Sequence, residues 1–323
     1  MTPDEGKRTL CAYYAGIERK NVEWLWYPYI PVGKLTVLQG DPGEGKSTFM
    51  LQLTALLTTG GMLPDSSGKT GPVNVIYQCA EDDPADTIKP RLVDAGADCS
   101  RVAYVIEHGD DLTVDDERIE RSIREVGAKL LILDPIQAFM GRSADMQNAV
   151  ATRNTMRQLA KVAERQHCAI VLIGHMNKES TGKKLYRGLG SIDLAAIARS
   201  VLMIERDPEN SDIRYMLPIK SSLAPEGKAI AFTFGNGQGF QWLGACTPPT
   251  IHKQSRHEKA SSYLRLLLSG RDLSAATALE RMQAIGVSER TVRTIVKELG
   301  VDSYRKDNAW YWRLVDHDEI PED

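Results

Sequence analysis

The chain has 323 residues, of which 42% are hydrophobic and 26% charged, with a formal net charge of −3. This excludes a mainly disordered chain, which combines low hydropathy with high net charge, and it leaves room for one large domain and one small one. It also excludes a globally basic nucleic-acid coat, though not a local basic patch. An N-terminal segment, residues 1–21, precedes a region (22–245) where short apolar runs alternate with helix-like stretches. The runs are LTVLQG (35–40), VNVIYQC (73–79), VAYVIE (102–107), KLLILD (129–134), AIVLIG (169–174) and SVLMIE (200–205). Helices are expected near 46–58, 84–95, 114–126 and 147–166. The runs are rich in Val, Ile and Leu without strict polar alternation, as strands buried on both faces of a parallel sheet are. Strand–helix alternation therefore predicts an α/β fold around a mostly parallel sheet. IRYMLPIKSS, AIAFTFG and FQWLG then predict an antiparallel extension. Residues 246–257, with adjacent prolines followed by polar residues, read as a linker. Beyond it lie three expected helices (258–268, 274–285, 288–299), a hairpin (304–314) and an acidic tail (316–323).

The strongest motif is Gly40-Asp41-Pro42-Gly43-Glu44-Gly45-Lys46-Ser47-Thr48, which fits G-x-x-x-x-G-K-[ST] between an expected strand and an expected helix. Its glycines let backbone N–H groups turn inward around a phosphate, and the helix N-terminus adds partial positive charge. Lys46 would bridge β- and γ-phosphate oxygens and Ser47 would ligate Mg²⁺, making ATP with Mg²⁺ the expected ligand. Asp134 ends an apolar strand and is the candidate second holder of Mg²⁺, through water; its alternative is a cap on the next turn. Glu81, in Cys79-Ala80-Glu81-Asp82-Asp83-Pro84, faces the γ-phosphate side and can act as the base on the attacking water. The alternative is an acidic cap for the helix near Pro84; both hold if Glu81 is catalytic and Asp83 caps. His175, at a third strand end, is a candidate γ-phosphate sensor, against a purely structural role.

Gly40–Ser47, Ala80-Glu81-Asp82, Leu133-Asp134-Pro135 and Gly174-His175-Met176-Asn177-Lys178, in this order, resemble the RecA-like ATPases. The chain is most similar to the ring-forming replicative helicases of plasmids and phages of the RepA type, and more distantly to DnaB. The segment Trp24-Leu25-Trp26-Tyr27-Pro28-Tyr29-Ile30-Pro31-Val32-Gly33-Lys34 is similar to the lead-in of those ATPases, and the resemblance covers roughly residues 22–240. It implies a RecA-like core, Glu81 as the catalytic glutamate, and a homo-oligomeric, hexameric ring with ATP between subunits. It also implies cationic fingers supplied by the neighbouring subunit, with Arg199 and Lys220 as the matching positions. Relatives often carry Asn two residues after that lysine, where this chain has Ser222, a departure that touches Lys220 more than Arg199. An ion pair within one subunit is the alternative role for Arg199.

In such rings two loops hold single-stranded DNA. The corresponding stretches here are 137–143 and 177–188, the second carrying Lys183, Lys184, Tyr186 and Arg187. Cations track phosphates and a tyrosine stacks on a base; a solvated surface loop is the alternative, and Arg187 belongs on the other reading to the ATP interface. Residues 252–315 hold 12 Lys+Arg against 7 Asp+Glu, a local net of +5, whereas residues 1–251 hold 28 against 31. Val292, Ile295, Val296 and Leu299 recur at helical spacing, leaving Arg290, Arg293, Thr294 and Lys297 on the outer side. Helix, turn, helix and basic hairpin resemble a winged helix-turn-helix, which sets its second helix in a DNA major groove; docking of a replication protein is the alternative. No stretch approaches the ~18 consecutive apolar residues of a membrane helix. Five scattered cysteines without a CxxC pair argue against a disulfide framework, and a cytoplasmic location is expected.

Overall fold

The computed structural model describes residues 11–69, 71–107, 109–141, 149–175, 196–235, 239–248, 256–268, 272–284, 286–307 and 309–314. The chain divides into two compact units, residues 1–249 and 250–323.

In the first unit β1 (Trp24–Trp26) and β2 (Ile30–Pro31) form an antiparallel ribbon. Then follow β3 (Leu35–Gly40), α1 (Lys46–Thr59), β4 (Val75–Cys79), α2 (Lys89–Asp94), β5 (Val102–Ala103) and α3 (Glu117–Val126). The remainder comprises β6 (Leu130–Asp134), α4 (Ala149–Gln166), β7 (Ala169–His175), β8 (Ser200–Arg206), β9 (Ile213–Ser221), β10 (Ala229–Thr233) and β11 (Gln241–Cys246). Among the described residues nine strands make one sheet in the order β11-β10-β9-β8-β3-β7-β6-β4-β5. From β8 to β5 all pairings are parallel; β8 through β11 pair antiparallel. The parallel sheet and its antiparallel extension thus meet at β8.

The unbroken apolar runs have a simple cause. Successive side chains of a strand point to opposite faces. In β6, Leu130 and Ile132 join one core while Leu131 and Leu133 join the other. In β7, Val171 and Ile173 separate in the same way from Ile170 and Leu172. The first core is closed by α1 and α2 through Phe49, Leu53, Leu57 and Leu92. The second is closed by α3 and α4 through Ile119, Ile123, Met156 and Leu159. Each buried Leu or Ile removed from water on either face contributes about 1.5–3 kcal/mol.

Two elements differ from the sequence expectation. The run 102–107 pairs as a strand only over Val102 and Ala103. Past that point the Gln78 side chain takes the place of a ladder: Val105 N–H donates to Gln78 Oε1 at 2.8 Å, and Gln78 Nε2 donates to Glu107 Oε1 at 2.9 Å. The expected helix at 84–95 opens instead as a five-residue π-turn, Pro84–Ile88, before α2. Pro90 has no N–H to continue an α-helical ladder through this turn, and Ile88 N–H bonds back to Asp83 O at 3.0 Å.

The second unit contains α5 (Arg256–Leu268), β12 (Leu273–Ser274), α6 (Ala275–Ala284), α7 (Glu289–Glu298), β13 (Asp302–Lys306) and β14 (Ala309–Arg313). The expected hairpin gains β12 as a third antiparallel strand, in the order β12-β14-β13. Leu264, Ala278, Met282, Val292, Ile295 and Trp312 form its core. Ser288 caps α7 by accepting from Thr291 N–H at 3.3 Å.

Candidate functional site

The phosphate-loop motif lies where β3 leaves the sheet. Gly40 is a steric necessity: a Cβ there would stand 2.7 Å from the Ile204 carbonyl oxygen on β8. Gly43 and Gly45 take φ of +79° and +85°, a region L side chains avoid. Lys46, the first residue of α1, is 4% exposed, and its Nζ donates to Gly40 O at 2.9 Å and Asp41 O at 3.0 Å. Burial draws its pKa down, opposed by the charges of Asp134, Asp41, Glu44 and Glu81. Glu44 ties the loop to the antiparallel strands, with Arg206 Nε at 3.2 Å and Arg214 Nε at 3.9 Å from its Oε2. Arg214 in turn donates to Phe234 O at 2.7 Å and stacks over the Phe234 ring at 5.0 Å.

Asp134 ends β6 and is 5% exposed. It accepts from Tyr77 Oη at 2.7 Å. Ser47 lies in the first turn of α1, and the Tyr77 pKa is pushed well up by burial and then by Asp134. Glu81 lies beyond the end of β4, beside β6, with Ala80 N–H donating to Asp134 O at 3.0 Å. The acidic cluster divides its labour. Asp83 caps the π-turn by accepting from Ala85 and Asp86 N–H, Asp82 pairs with Arg91 at 2.9 Å, and Glu81 stands exposed. In the backbone register His175 sits opposite Gly40, so β7 also ends at this edge.

Beside the loop lies a cavity of 610 Å³, walled by Gly45, Ser47, Gln52, Arg91, Phe234 and Phe240 among others. Arg91, Phe234 and Phe240, like Tyr77, were not legible as site residues in sequence. They carry no motif and come from α2 and from positions flanking β10 and β11, far along the chain from the loop. A Tyr inside the buried strand VIYQC was the one available signal. The arrangement fits a nucleotide with a divalent cation: a glycine-built cradle with a buried cation for phosphates, a hydroxyl and a carboxylate for hard-metal coordination, and a cation and two rings for a base.

Arg199 and Lys220 lie elsewhere. Thr36 pairs with Ser200 and Arg199 N–H donates to Leu35 O, so Arg199 stands at the start of β3 and the phosphate loop at its end. Five residues of strand separate them by about 16 Å. Lys220 is beside Arg199, its Nζ donating to Ala198 O at 2.8 Å, and burial and then the Arg199 charge lower its pKa. Lys183, Lys184, Tyr186 and Arg187 lie outside the described residues. In the second unit Arg290, Arg293, Thr294 and Lys297 share one open face of α7 with Glu289, which pairs with Arg293 at 2.7 Å.

The AAA domain family AAA_25 matches residues 7–181. The DNA repair protein RadA of Streptococcus pneumoniae is 30% identical over 152 residues, covering 46% of this chain and 31% of RadA. RadA of Halalkalibacterium halodurans is 32% identical over 157 residues, 47% of this chain and 30% of that protein. The matched stretches thus span about a third of the length of these relatives. A solved structure, the ATPase domain of G40P, superposes with a TM-score of 0.50 at 15% identity, over 66% of this chain and 85% of its own.

Proposed function

This chain belongs to the AAA domain family AAA_25 and has a RecA-like P-loop ATPase fold; from that premise we propose that it is an ATP-hydrolysing, ring-forming DNA motor, a replicative DNA helicase of a plasmid, phage or integrated element. On this reading the region 22–245 is the motor and 258–315 a winged helix-turn-helix, joined by 246–257, and the protein works in the cytoplasm. Lys46 and the loop N–H groups of Gly40 to Thr48 bind the phosphates. Ser47 and Asp134 hold Mg²⁺, which neutralises charge on the phosphate oxygens. Glu81 takes the proton of the attacking water, His175 senses the γ-phosphate, and the cavity walled by Arg91, Phe234 and Phe240 seats the base.

One observation carries the assembly. The phosphate loop, Glu81 and Asp134 share one edge of the sheet while Arg199 and Lys220 stand at the other. Neither cation reaches its own chain's phosphates, so either can act as a finger only on a second copy, which supports a homo-oligomeric, hexameric ring. Single-stranded DNA would run past Lys183, Lys184, Tyr186 and Arg187, and duplex DNA or a replication protein would meet Arg290, Arg293 and Lys297. The similarity to RadA DNA repair proteins favours a second reading, a recombination or repair ATPase that hydrolyses ATP on DNA without unwinding it. A forked-duplex strand-separation assay with ATP, run beside native mass determination, decides. Strand separation by a closed oligomer supports the motor, and DNA-stimulated hydrolysis without separation supports the second reading.

A further inference from the structure

Arg214, near the start of β9, is 5% exposed. A guanidinium taken out of water persists only where its surroundings replace the lost contacts. Two walls of the cavity beside the phosphate loop supply them. On one side Arg214 Nε lies 3.9 Å from Glu44 Oε2, in the loop itself. On the other, Nη1 donates to Phe234 O at 2.7 Å, and the guanidinium lies over the Phe234 ring, 5.0 Å from its centroid. Phe234 N–H and Arg214 Nη1 also share Asp212 O, each at 3.2 Å. The Phe234 ring then returns to the loop, since a Cβ on Gly45 would stand 3.2 Å from its Cδ1. Loop and wall follow different strands, β3 and β10, and Arg214 touches both. Its planar fork fixes the angle between the stacked ring and the bonded carbonyl. Glu44 has a second partner in Arg206, at 3.2 Å. Without Arg214 the loop would therefore keep one tie, whereas the tie from loop to wall runs through Arg214.

We propose that Arg214 is a positioning residue of the nucleotide site, a brace that holds the Phe234 wall against the phosphate loop so that a base and its phosphates fit together. The proposal rests on the reading of this cavity as the seat of the base, and its test keeps the two apart. Binding of ADP and of inorganic pyrophosphate is measured by calorimetry on the full chain in Mg²⁺, for the wild type, Arg214→Met and Phe234→Ala. Pyrophosphate reports the loop alone, and the readout is the ratio of the two affinities. Arg214→Met keeps an apolar stem and leaves Glu44 to Arg206. It should hold its pyrophosphate affinity within about twofold while the ratio of ADP to pyrophosphate affinity falls about tenfold, the loss of one hydrogen bond to a charged group. A ratio equal to wild type, or an equal loss for both ligands, overturns the proposal and leaves Arg214 as part of the scaffold. A Phe234→Ala protein with an unchanged ratio shows instead that the base-seat reading itself has failed, and the proposal falls with it. Should Arg214→Met not fold, Arg214→Lys carries the test. Its ammonium keeps the charge beside Glu44 but is a point, without the planar fork that spans carboxylate, ring and carbonyl together. A ratio below wild type supports the brace, and a wild-type ratio overturns it.

Discussion

On the proposed reading Lys46 and Glu81 would meet the same nucleotide at different moments, and their variants should separate accordingly. Lys46 would contact phosphates in the ground state, so Lys46→Ala should weaken nucleotide binding roughly 10–100-fold, the cost of a lost charge-assisted bond. Glu81 would act on the attacking water, so Glu81→Gln should bind as wild type and lose about 10²–10⁴ in kcat. Equilibrium binding and single-turnover hydrolysis check both. Near-normal turnover in Glu81→Gln sinks the assignment, and Asp82, already tied to Arg91, becomes the next suspect. Gly40 makes a third residue-level case. Its missing Cβ is what lets β3 lie against Ile204, so Gly40→Ala should destabilise the fold by roughly 1–3 kcal/mol, read from the denaturation midpoint. The motif residues were legible because their chemistry is written in a fixed local spacing. Arg91, Phe234 and Phe240 were not, because a cavity wall is assembled from side chains that only the tertiary fold brings together.

At the scale of elements, α3 and α4 are joined across the second core's rim by Glu120 and Arg165, whose Oε2 and Nη2 lie 2.7 Å apart, with Gln166 also donating to Glu120. The Arg165 and Gln166 hydrogen bonds hold the Glu120 pKa down to about 2. A carboxyl with a depressed folded pKa stabilises above its unfolded pKa and loses that stability as pH falls through the folded value. The pair should therefore stabilise at neutral pH and fade between about pH 4.5 and pH 2. Because Arg165 is half exposed, solvent screening should keep the gain small. Glu120→Gln should lower the melting temperature slightly at pH 7 and leave it unchanged near pH 2, and an equal loss at both would contradict the assignment. The β-strands themselves were legible where both faces are buried, as in β6 and β7. The run 102–107 misled because its composition is that of a strand, while the bonds that decide it come from the Gln78 side chain. The break before α2 had a visible agent, Pro90, but its π-turn form depends on Asp83 accepting from four backbone N–H groups around the turn.

For the whole molecule, the proposed division between motor and winged module yields two measurements. The open face of Arg290, Arg293 and Lys297 would contact phosphates of a duplex, and each contact removed should lower the log–log salt slope of binding by nearly one. A chain ending at Thr250 should keep hydrolysis and lose duplex binding; full retention would make the second unit a docking module for protein. Lys220 and Arg199 give the second measurement. Arg199→Ala mixed with Glu81→Gln should regain hydrolysis, since one interface then pairs Glu81 of one chain with Arg199 of another. No regain in a mixture shown to co-assemble would sink a role in trans.

The separation of Arg199 from the phosphate loop along β3 has a further consequence, in the arithmetic of assembly. A protein with the acceptor half of a site at one edge and the donor half at the other joins head to tail. On the proposed reading, copies in a closed circle complete as many sites as there are copies, whereas an open row always leaves one loop without a finger at its end. Activity per chain would then rise with the length of an open row and reach its ceiling only on closure, so a break in the circle would silence one site without altering any residue in it.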